Sequence, residues 1–476
     1  MSNDNLKNKT KKGFLWSTIE RFFSQGIQFV FGILIARILS PEDYGIVAMP
    51  LVFLALAQVF IDSGFSNALV RKPDLKEKDL STAFYFNIIV GIVCYGILFV
   101  ASPWIADFYH TPILADLLKV TALATLFNPL CAVQQAVLTK KIDFKSQAKV
   151  TVSAAIFSGI VGLYLAYTGF GVWALVFQQV SAALIRTFSL WIVSKWRPKT
   201  GWSRDSFKYL WGYGSKIMGV GILDTVFNNI YPLVIGKFYT AKDLGDYTRA
   251  QQFVDLPINN VTGILQRVSF PVLSSIQNQD DRLQTNYLRM LRATAFIIFP
   301  LLFGIAVLAK PFVLVFLGEK WLGCVLLLQI LCVAKIWTPI NAVNLNLLQV
   351  KGRSDIFLKL ELIKKSVIIL TMILTIPRGI VWMVSGTVFT TFVAFIINTL
   401  ATQRLVNVGL FKQIKEFVPI LVVSLIMVAV IYIANNYISN MYIQLFGGFV
   451  IGVITYSLSS YTFKLKALTD VLKFLK

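Results

Sequence analysis

Apolar residues run along the chain in blocks of about 20, the length that crosses a bilayer as a helix, divided by short joints rich in Lys, Arg, Gly or Pro. These blocks predict helices over 14–37, 45–67, 82–104, 113–138, 150–168 and 172–194, then over 209–238, 245–272, 288–309, 322–349, 358–376 and 380–402. Two more follow at 416–434 and 441–462, for fourteen spans in all. The run after Lys7, Lys9, Lys11 and Lys12 superficially resembles a signal peptide, but it extends to Ile38 and contains Glu20 and Arg21. It is read as a retained first helix.

The first twelve blocks form two copies of one unit. Ile33 to Gly45 reads ILIARILSPEDYG, and Leu233 to Gly245 reads LVIGKFYTAKDLG, so that Ile35, Arg37, Asp43 and Gly45 match Ile235, Lys237, Asp243 and Gly245. The echo continues with Ala101-Ser-Pro-Trp against Ala309-Lys-Pro-Phe, Phe127-Asn-Pro-Leu against Trp337-Thr-Pro-Ile, and Phe170-Gly-Val-Trp against Gly379-Ile-Val-Trp. The offset grows from 200 at Ile33 and Leu233 to about 208 at Ala101 and Ala309, which places a small insertion in the polar loop near Gln277 to Thr285. The organisation expected is a lobe of six helices over 1–205, a second over 206–410, and two extra helices with a basic tail over 411–476.

Composition identifies the solvent of this repeat. Hydrophobic residues make up 56% of the chain and charged ones 14%, with a mean hydropathy of +0.70, which a water-soluble domain would not sustain. The net charge of +22 does not indicate nucleic acid, because Lys and Arg recur in small clusters between apolar blocks instead of gathering on one face. Of 45 basic residues, 32 fall in the joints on the side of the two termini and six in the joints on the other side. By the positive-inside rule both termini are cytoplasmic. The first and seventh helices then start on the same side, giving a parallel repeat about an axis along the membrane normal and a cleft between like-oriented lobes. Trp16, Trp104, Trp173, Trp196, Trp321 and Trp382 near span ends read as interfacial anchors. Pro129 and Pro339, matched across the repeat, should bend the fourth and tenth helices.

Polar side chains inside the spans are the functional signal, since each must face a cavity or a partner. On the first helix Ser17, Arg21, Ser24, Gln25 and Gln28 share an arc of roughly a third of the circumference. On the eighth, Arg249, Gln252, Asp255, Asn259, Asn260, Thr262, Gln266 and Arg267 share an arc of about 160°, opposite Val254, Ile258, Val261, Leu265 and Val268. Both polar faces are expected to line the inter-lobe cavity. Arg186 and Lys335 lie near mid-depth. Cations outnumber acids among these groups, which favours an anionic ligand and makes Arg21, Arg186, Arg249, Arg267 and Lys335 candidate phosphate contacts. Internal pairing is the competing reading, Arg249 with Asp255 or Glu20 with Lys216. Asp224, Asn228 and Tyr231 share a face of the seventh helix, where Asp224 and Asn228 are candidates for Na⁺ or H⁺ coupling, beside the alternative of a packed polar cluster. Glu361 and Lys365 have the spacing of an ion pair.

Enzymatic chemistry finds no motif. His110 is the only histidine and sits in a short outer loop. No Walker sequence, metal-ligand spacing or Ser/His/Asp arrangement appears, and no cofactor is expected. Cys94, Cys131, Cys324 and Cys332 all lie in apolar blocks and are expected as free thiols.

Gly13-Phe-Leu-Trp, Ala36-Arg-Ile-Leu-Ser-Pro-Glu-Asp-Tyr-Gly, Asp62-Ser-Gly-Phe, Phe170-Gly-Val-Trp-Ala-Leu and Gly318-Glu-Lys-Trp carry a further signal. With them the chain resembles, along essentially its whole length, the polysaccharide flippases that export O-antigen, capsule or colanic-acid repeat units. Their superfamily also contains the multidrug and toxic-compound extrusion (MATE) transporters and the lipid II flippases. The resemblance implies an all-helical MATE-like membrane fold in a bacterial inner membrane. It implies alternating access that carries undecaprenyl-pyrophosphate-linked oligosaccharide to the periplasmic leaflet, as a monomer and alongside a glycan polymerase and a chain-length regulator. Related flippases keep arginines on the first, second and eighth helices. Arg21 and Arg249 fit two of these, whereas the second helix offers only Asp62. The alternatives are an ion-coupled drug exporter of the same fold, disfavoured by the cationic interior, and a membrane glycan polymerase or ligase, disfavoured by the short outer loops.

Overall fold

The computed structural model describes residues 3–62 and 64–475, with side chains at 16, 20–62, 64–267, 269–353 and 355–471. Ser17, Val268 and the basic side chains before Trp16 lie outside that set.

In chain order the helices are α1 (Asn3–Ile38), α2 (Pro41–Ala48), α3 (Leu51–Asp62), α4 (Phe65–Arg71), α5 (Glu77–Tyr109), α6 (Leu114–Thr121), α7 (Ala124–Lys140), α8 (Phe144–Tyr167), α9 (Val172–Ser194), α10 (Arg204–Asn228) and α11 (Ile230–Phe238). They continue as α12 (Ala241–Ser275), α13 (Asp280–Val307), α14 (Ala309–Phe316), α15 (Gly323–Lys335), α16 (Trp337–Val350), α17 (Ser354–Thr375), α18 (Ile380–Val406), α19 (Leu410–Asn436), α20 (Met441–Thr462) and α21 (Lys466–Leu475). All fourteen predicted blocks are helical. Among the described residues, ten stretches are long and apolar enough to cross a membrane, or eleven if the bent pair α10 and α11 is one span. Among the described residues, the long helices α12 and α17 fall outside that apolar set. The structure therefore supports a multi-pass membrane protein with ten or eleven spans by length and composition, and fourteen remains the count of helical blocks.

Large apolar side chains are exposed in stripes, as expected where lipid is the solvent. Along α5, Ile89, Val93, Ile97, Val100 and Trp104 are all exposed at helical spacing. Inside, glycines let helices approach closely. A β-carbon at Gly159 of α8 would strike the ring of Phe31 on α1, and one at Gly91 of α5 would strike Pro129 on α7.

The chain forms two compact units, Met1–Gly245 and Asp246–Lys476. The repeat boundary near 205 and this packing boundary differ, because α10 lies against α3 and α4 and α11 against α2 and α5 within the first unit. In the second unit α13 packs on α19 and α15, α15 on α18, and α19 on α20. A polar knot ties this unit: the fully buried Tyr287 hydroxyl donates to Asn344 Oδ1 at 2.6 Å and accepts from Gln413 Nε2 at 3.1 Å. The C-terminal α21 docks through Asp470, which accepts from Arg289 Nε at 3.1 Å and Arg292 Nε at 2.8 Å. Arg292 also reaches Glu416 on α19 at 3.1 Å.

Several local expectations change in three dimensions. The predicted seventh helix is bent by 43° where α10 meets α11 at Asn229, so Tyr231 lies beyond the break from Asp224 and Asn228 and a continuous helical face no longer joins all three. Asn229 stabilises the break by turning its Nδ2 back onto the Thr225 carbonyl at 2.8 Å. The matched prolines each follow an interruption, at 122–123 ahead of Pro129 and at Ile336 ahead of Pro339. Trp104 and Trp382 are exposed like anchors, but Trp321 is completely buried, and Trp196 points its indole N–H at Glu77 Oε1, 3.0 Å away. Glu361 takes Lys364, one residue short of the expected partner, at 2.5 Å. Glu20 accepts from the Thr151 hydroxyl at 2.8 Å instead of standing as the expected partner of Lys216.

Candidate functional site

α12 begins with a cap that its sequence encodes. Thr240 Oγ1 accepts from the Asp243 amide at 3.1 Å, and Asp243 Oδ2 accepts from the Thr240 amide at 3.2 Å, filling orphan donors of the first turn. Ser40 and Asp43 make the same reciprocal bonds ahead of α2, at 3.2 and 2.9 Å. From that start α12 runs through Ser275 with one face inside the second unit and the other open. Ala250, Val254 and Ile258 are buried at 2% exposure or less, while Gln252, Asn259 and Arg267 are exposed and Asp255 half-buried. The apolar side thus packs against the unit's own helices, and the exposed side chains Gln252, Asn259 and Arg267 all belong to the face too polar for lipid.

Two anchors organise that face. Arg249 is 6% exposed, with Nη1 donating to Gln252 Oε1 at 2.6 Å and its guanidinium 5.9 Å from the centroid of the buried Trp321 ring. Two turns on, Asp255 forms an ion pair with Lys335 at the end of α15, both side chains remaining partly exposed. The structure therefore brings Arg249, Gln252, Asp255 and Lys335 together on α12 and α15, and it pairs Asp255 with Lys335, the cation contributed by another helix. Arg267 lies further along α12.

The first unit places its candidates differently. On α1, Arg21 and Gln25 are half-buried and Gln28 is exposed, whereas Ser24 is buried with its hydroxyl donating to the Arg21 carbonyl at 3.4 Å. Arg186 is exposed on α9. Asp224 and Asn228 are both exposed on α10, one turn apart.

Side chains outside the predicted set complete the polar interior. In the first unit Gln58, Thr121, Thr125, Asn128, Gln179 and Asn229 line a pocket of about 320 Å³. In the second, Asp246, 3% exposed, lies so close to Gly323 at the start of α15 that a β-carbon there would overlap its carboxylate. In the sequence, the neutral amides stand out only as uncharged polar residues in the middle of otherwise apolar blocks. Asp246 was visible only as a charge next to the helix start. All four cysteines are buried free thiols. No group of three or more His, Cys, Asp or Glu residues suited to a metal ion occurs among the described residues.

Known proteins provide the comparison for this geometry. The family described as polysaccharide biosynthesis protein matches residues 34–326. The teichuronic acid biosynthesis protein TuaB of Bacillus subtilis is 28% identical over 350 residues, covering 72% of each chain. The lipopolysaccharide biosynthesis protein WzxC of Escherichia coli is 27% identical over 365 residues, covering 75% of this chain and 73% of that one. Among solved structures, the lipid II flippase MurJ in an inward closed conformation superposes with a TM-score of 0.74 at 18% identity, covering 94% of this chain and 98% of that chain. An inward-facing MATE family multidrug transporter superposes with a TM-score of 0.63 at 14% identity, covering 81% of this chain and 98% of that chain. At those identities the likeness to the solved structures is one of fold.

Proposed function

Because this chain belongs to the polysaccharide biosynthesis protein family, we propose that it is a flippase carrying lipid-linked oligosaccharide across a bacterial inner membrane. The cargo is an undecaprenyl-pyrophosphate-linked glycan, taken from the cytoplasmic to the periplasmic leaflet by alternating access, with both termini cytoplasmic. The observation that carries this reading is the polar face of α12, where Gln252, Asn259 and Arg267 are exposed and Asp255 is half-buried, backed by an apolar face buried in its own unit. A helix of this kind in a multi-pass protein needs water or a polar cargo beside it.

Arg21, Arg186, Arg249, Arg267 and Lys335 serve the pyrophosphate, and Ser24, Gln25, Gln28, Gln252, Asp255 and Asn259 the polar lining. Lys335 is held by Asp255 before cargo arrives. Pyrophosphate competes for that ammonium, and its loss frees Asp255 to recapture Lys335. The exchange makes the ion pair a two-position element whose balance the cargo shifts. Asp224 and Asn228 supply the coupling site for Na⁺ or H⁺, on the α10 segment next to the bend at Asn229. The protein acts as a monomeric transporter, not an enzyme, and hands its cargo to a glycan polymerase with its chain-length regulator.

Reconstitution in liposomes tests this reading, with a fluorescent undecaprenyl-pyrophosphate oligosaccharide scored for accessibility in each leaflet. Protein-dependent movement that Arg249→Ala abolishes supports flipping with anionic recognition. Efflux of small organic cations without movement of any glycan lipid would replace it with drug export, and lengthening of the glycan would replace it with polymerase activity.

A further inference from the structure

Within the first unit, α3, the end of α6, α7, α9 and the junction of α10 with α11 line the pocket of about 320 Å³, at the small end of the range for ligand sites. Its walls alternate the apolar Leu51, Leu54, Ala55 and Ala124 with neutral amides and hydroxyls. A relay fixes how the amides point: Asn128 Nδ2 donates to Gln58 Oε1 at 2.8 Å, and Gln58 Nε2 donates to Asp62 Oδ1 at 2.9 Å. Asn128 Oδ1 is left as an acceptor. Gln179 makes no hydrogen bond among the described residues, and Asn229 spends its Nδ2 on Thr225 while keeping its carbonyl oxygen. The threonine hydroxyls donate to their own helix, Thr121 to Leu117 at 2.7 Å and Thr125 to Ala122 at 2.7 Å, so their lone pairs remain.

Among the described residues no cation and no carboxylate lines this pocket, so neither a phosphate nor an organic cation finds its usual partner there. Oriented amides that offer donors and acceptors side by side match hydroxyl groups, which are both at once. Charge begins where Asp62 closes the relay. Arg186 lies seven residues along α9 from Gln179, on the same face and roughly 10 Å away by helical rise. We infer that this pocket is a saccharide subsite that takes one sugar of the cargo through Gln58, Asn128, Gln179 and Asn229, with Arg186 toward the anionic end. The assignment rests on the flippase reading, and it adds what part of the cargo is recognised and where.

The test compares two probes in proteoliposomes: undecaprenyl pyrophosphate bearing an oligosaccharide, drawn from a panel of hexose and N-acetylhexosamine chains, and undecaprenyl pyrophosphate without sugar. Asn128→Leu and Gln179→Leu each leave polar groups of a bound sugar unmatched. Each should raise the half-saturating concentration of the sugar-bearing probe by about tenfold more than that of the bare one. If a leucine variant does not fold, Gln179→Cys gives a second readout in a background whose native thiols are all buried. Its alkylation should be slowed by the sugar-bearing probe and not by the bare one. Equal effects on both probes, or equal protection by both, would overturn the subsite and leave the flippase reading standing. A wild-type protein that moves neither probe would instead sink the flippase reading.

Discussion

Gly45 lies against the carbonyl of Ala241 so closely that a β-carbon would overlap the oxygen. The relation is returned at matched positions of the repeat, where Gly245 lies in the same way against the carbonyl of Pro41. The two capped helix starts are thus interlocked reciprocally, glycine to carbonyl in each direction. In both cases the obstacle is backbone, which has no rotamer to escape into.

Gly45→Ala and Gly245→Ala should therefore each destabilise the protein by about 1–3 kcal/mol or more, the cost of overpacking at a rigid contact. Thermal unfolding in detergent checks this, with Gly26→Ala as the reference, since a β-carbon at Gly26 meets nothing within 4 Å. Unfolding at the wild-type temperature in either interlock variant would show that the helix starts separate easily.

The ion pair of Asp255 and Lys335 supports a prediction about transport. Asp255→Asn removes the competitor for the ammonium and should raise affinity for the glycan lipid several-fold while slowing its release. Lys335→Met leaves the Asp255 carboxylate without its cation and should lower both affinity and rate. Binding and single-turnover measurements separate the two, and equal losses in both variants would reduce the pair to a packing element.

Tyr287 is a stability prediction. Tyr287→Phe keeps the ring but removes the hydroxyl that Asn344 and Gln413 share, leaving buried amide groups unmatched. A loss of about 1–3 kcal/mol in unfolding free energy is expected, with cargo affinity unchanged. A change in affinity at constant stability would relocate the knot to the transport path.

Asp470 should govern whether α21 stays docked. Asp470→Asn removes the carboxylate that holds Arg289 and Arg292, so proteolysis of the C-terminal helix should accelerate at low salt. In the wild-type protein the same acceleration should appear as ionic strength rises, because the Arg289 side chain is partly exposed to screening. Proteolysis insensitive to both would mean that α21 is held by its apolar face alone.

The sequence by itself determined what depends on local chemistry and on pattern: fourteen helical blocks, the twofold repeat and the membrane as solvent. These follow from the pattern of apolar side chains and from the length an apolar helix needs in lipid. It also exposed α12, because an amphipathic helix in an apolar chain declares itself by periodicity. Tertiary structure decided the pairings. Asp255 and Lys335 stand 80 residues apart, and no spacing rule selects Lys335 over Arg249. Gln58, Asn128 and Gln179 stand in separate apolar blocks, and only packing α3, α7 and α9 together brings three neutral amides to one pocket, with Asn128 and Gln58 hydrogen-bonded to each other. The break at Asn229 and the burial of Trp321 likewise reflect competition among neighbours, which fixes what a helix face meets after the pattern has fixed that it is a helix.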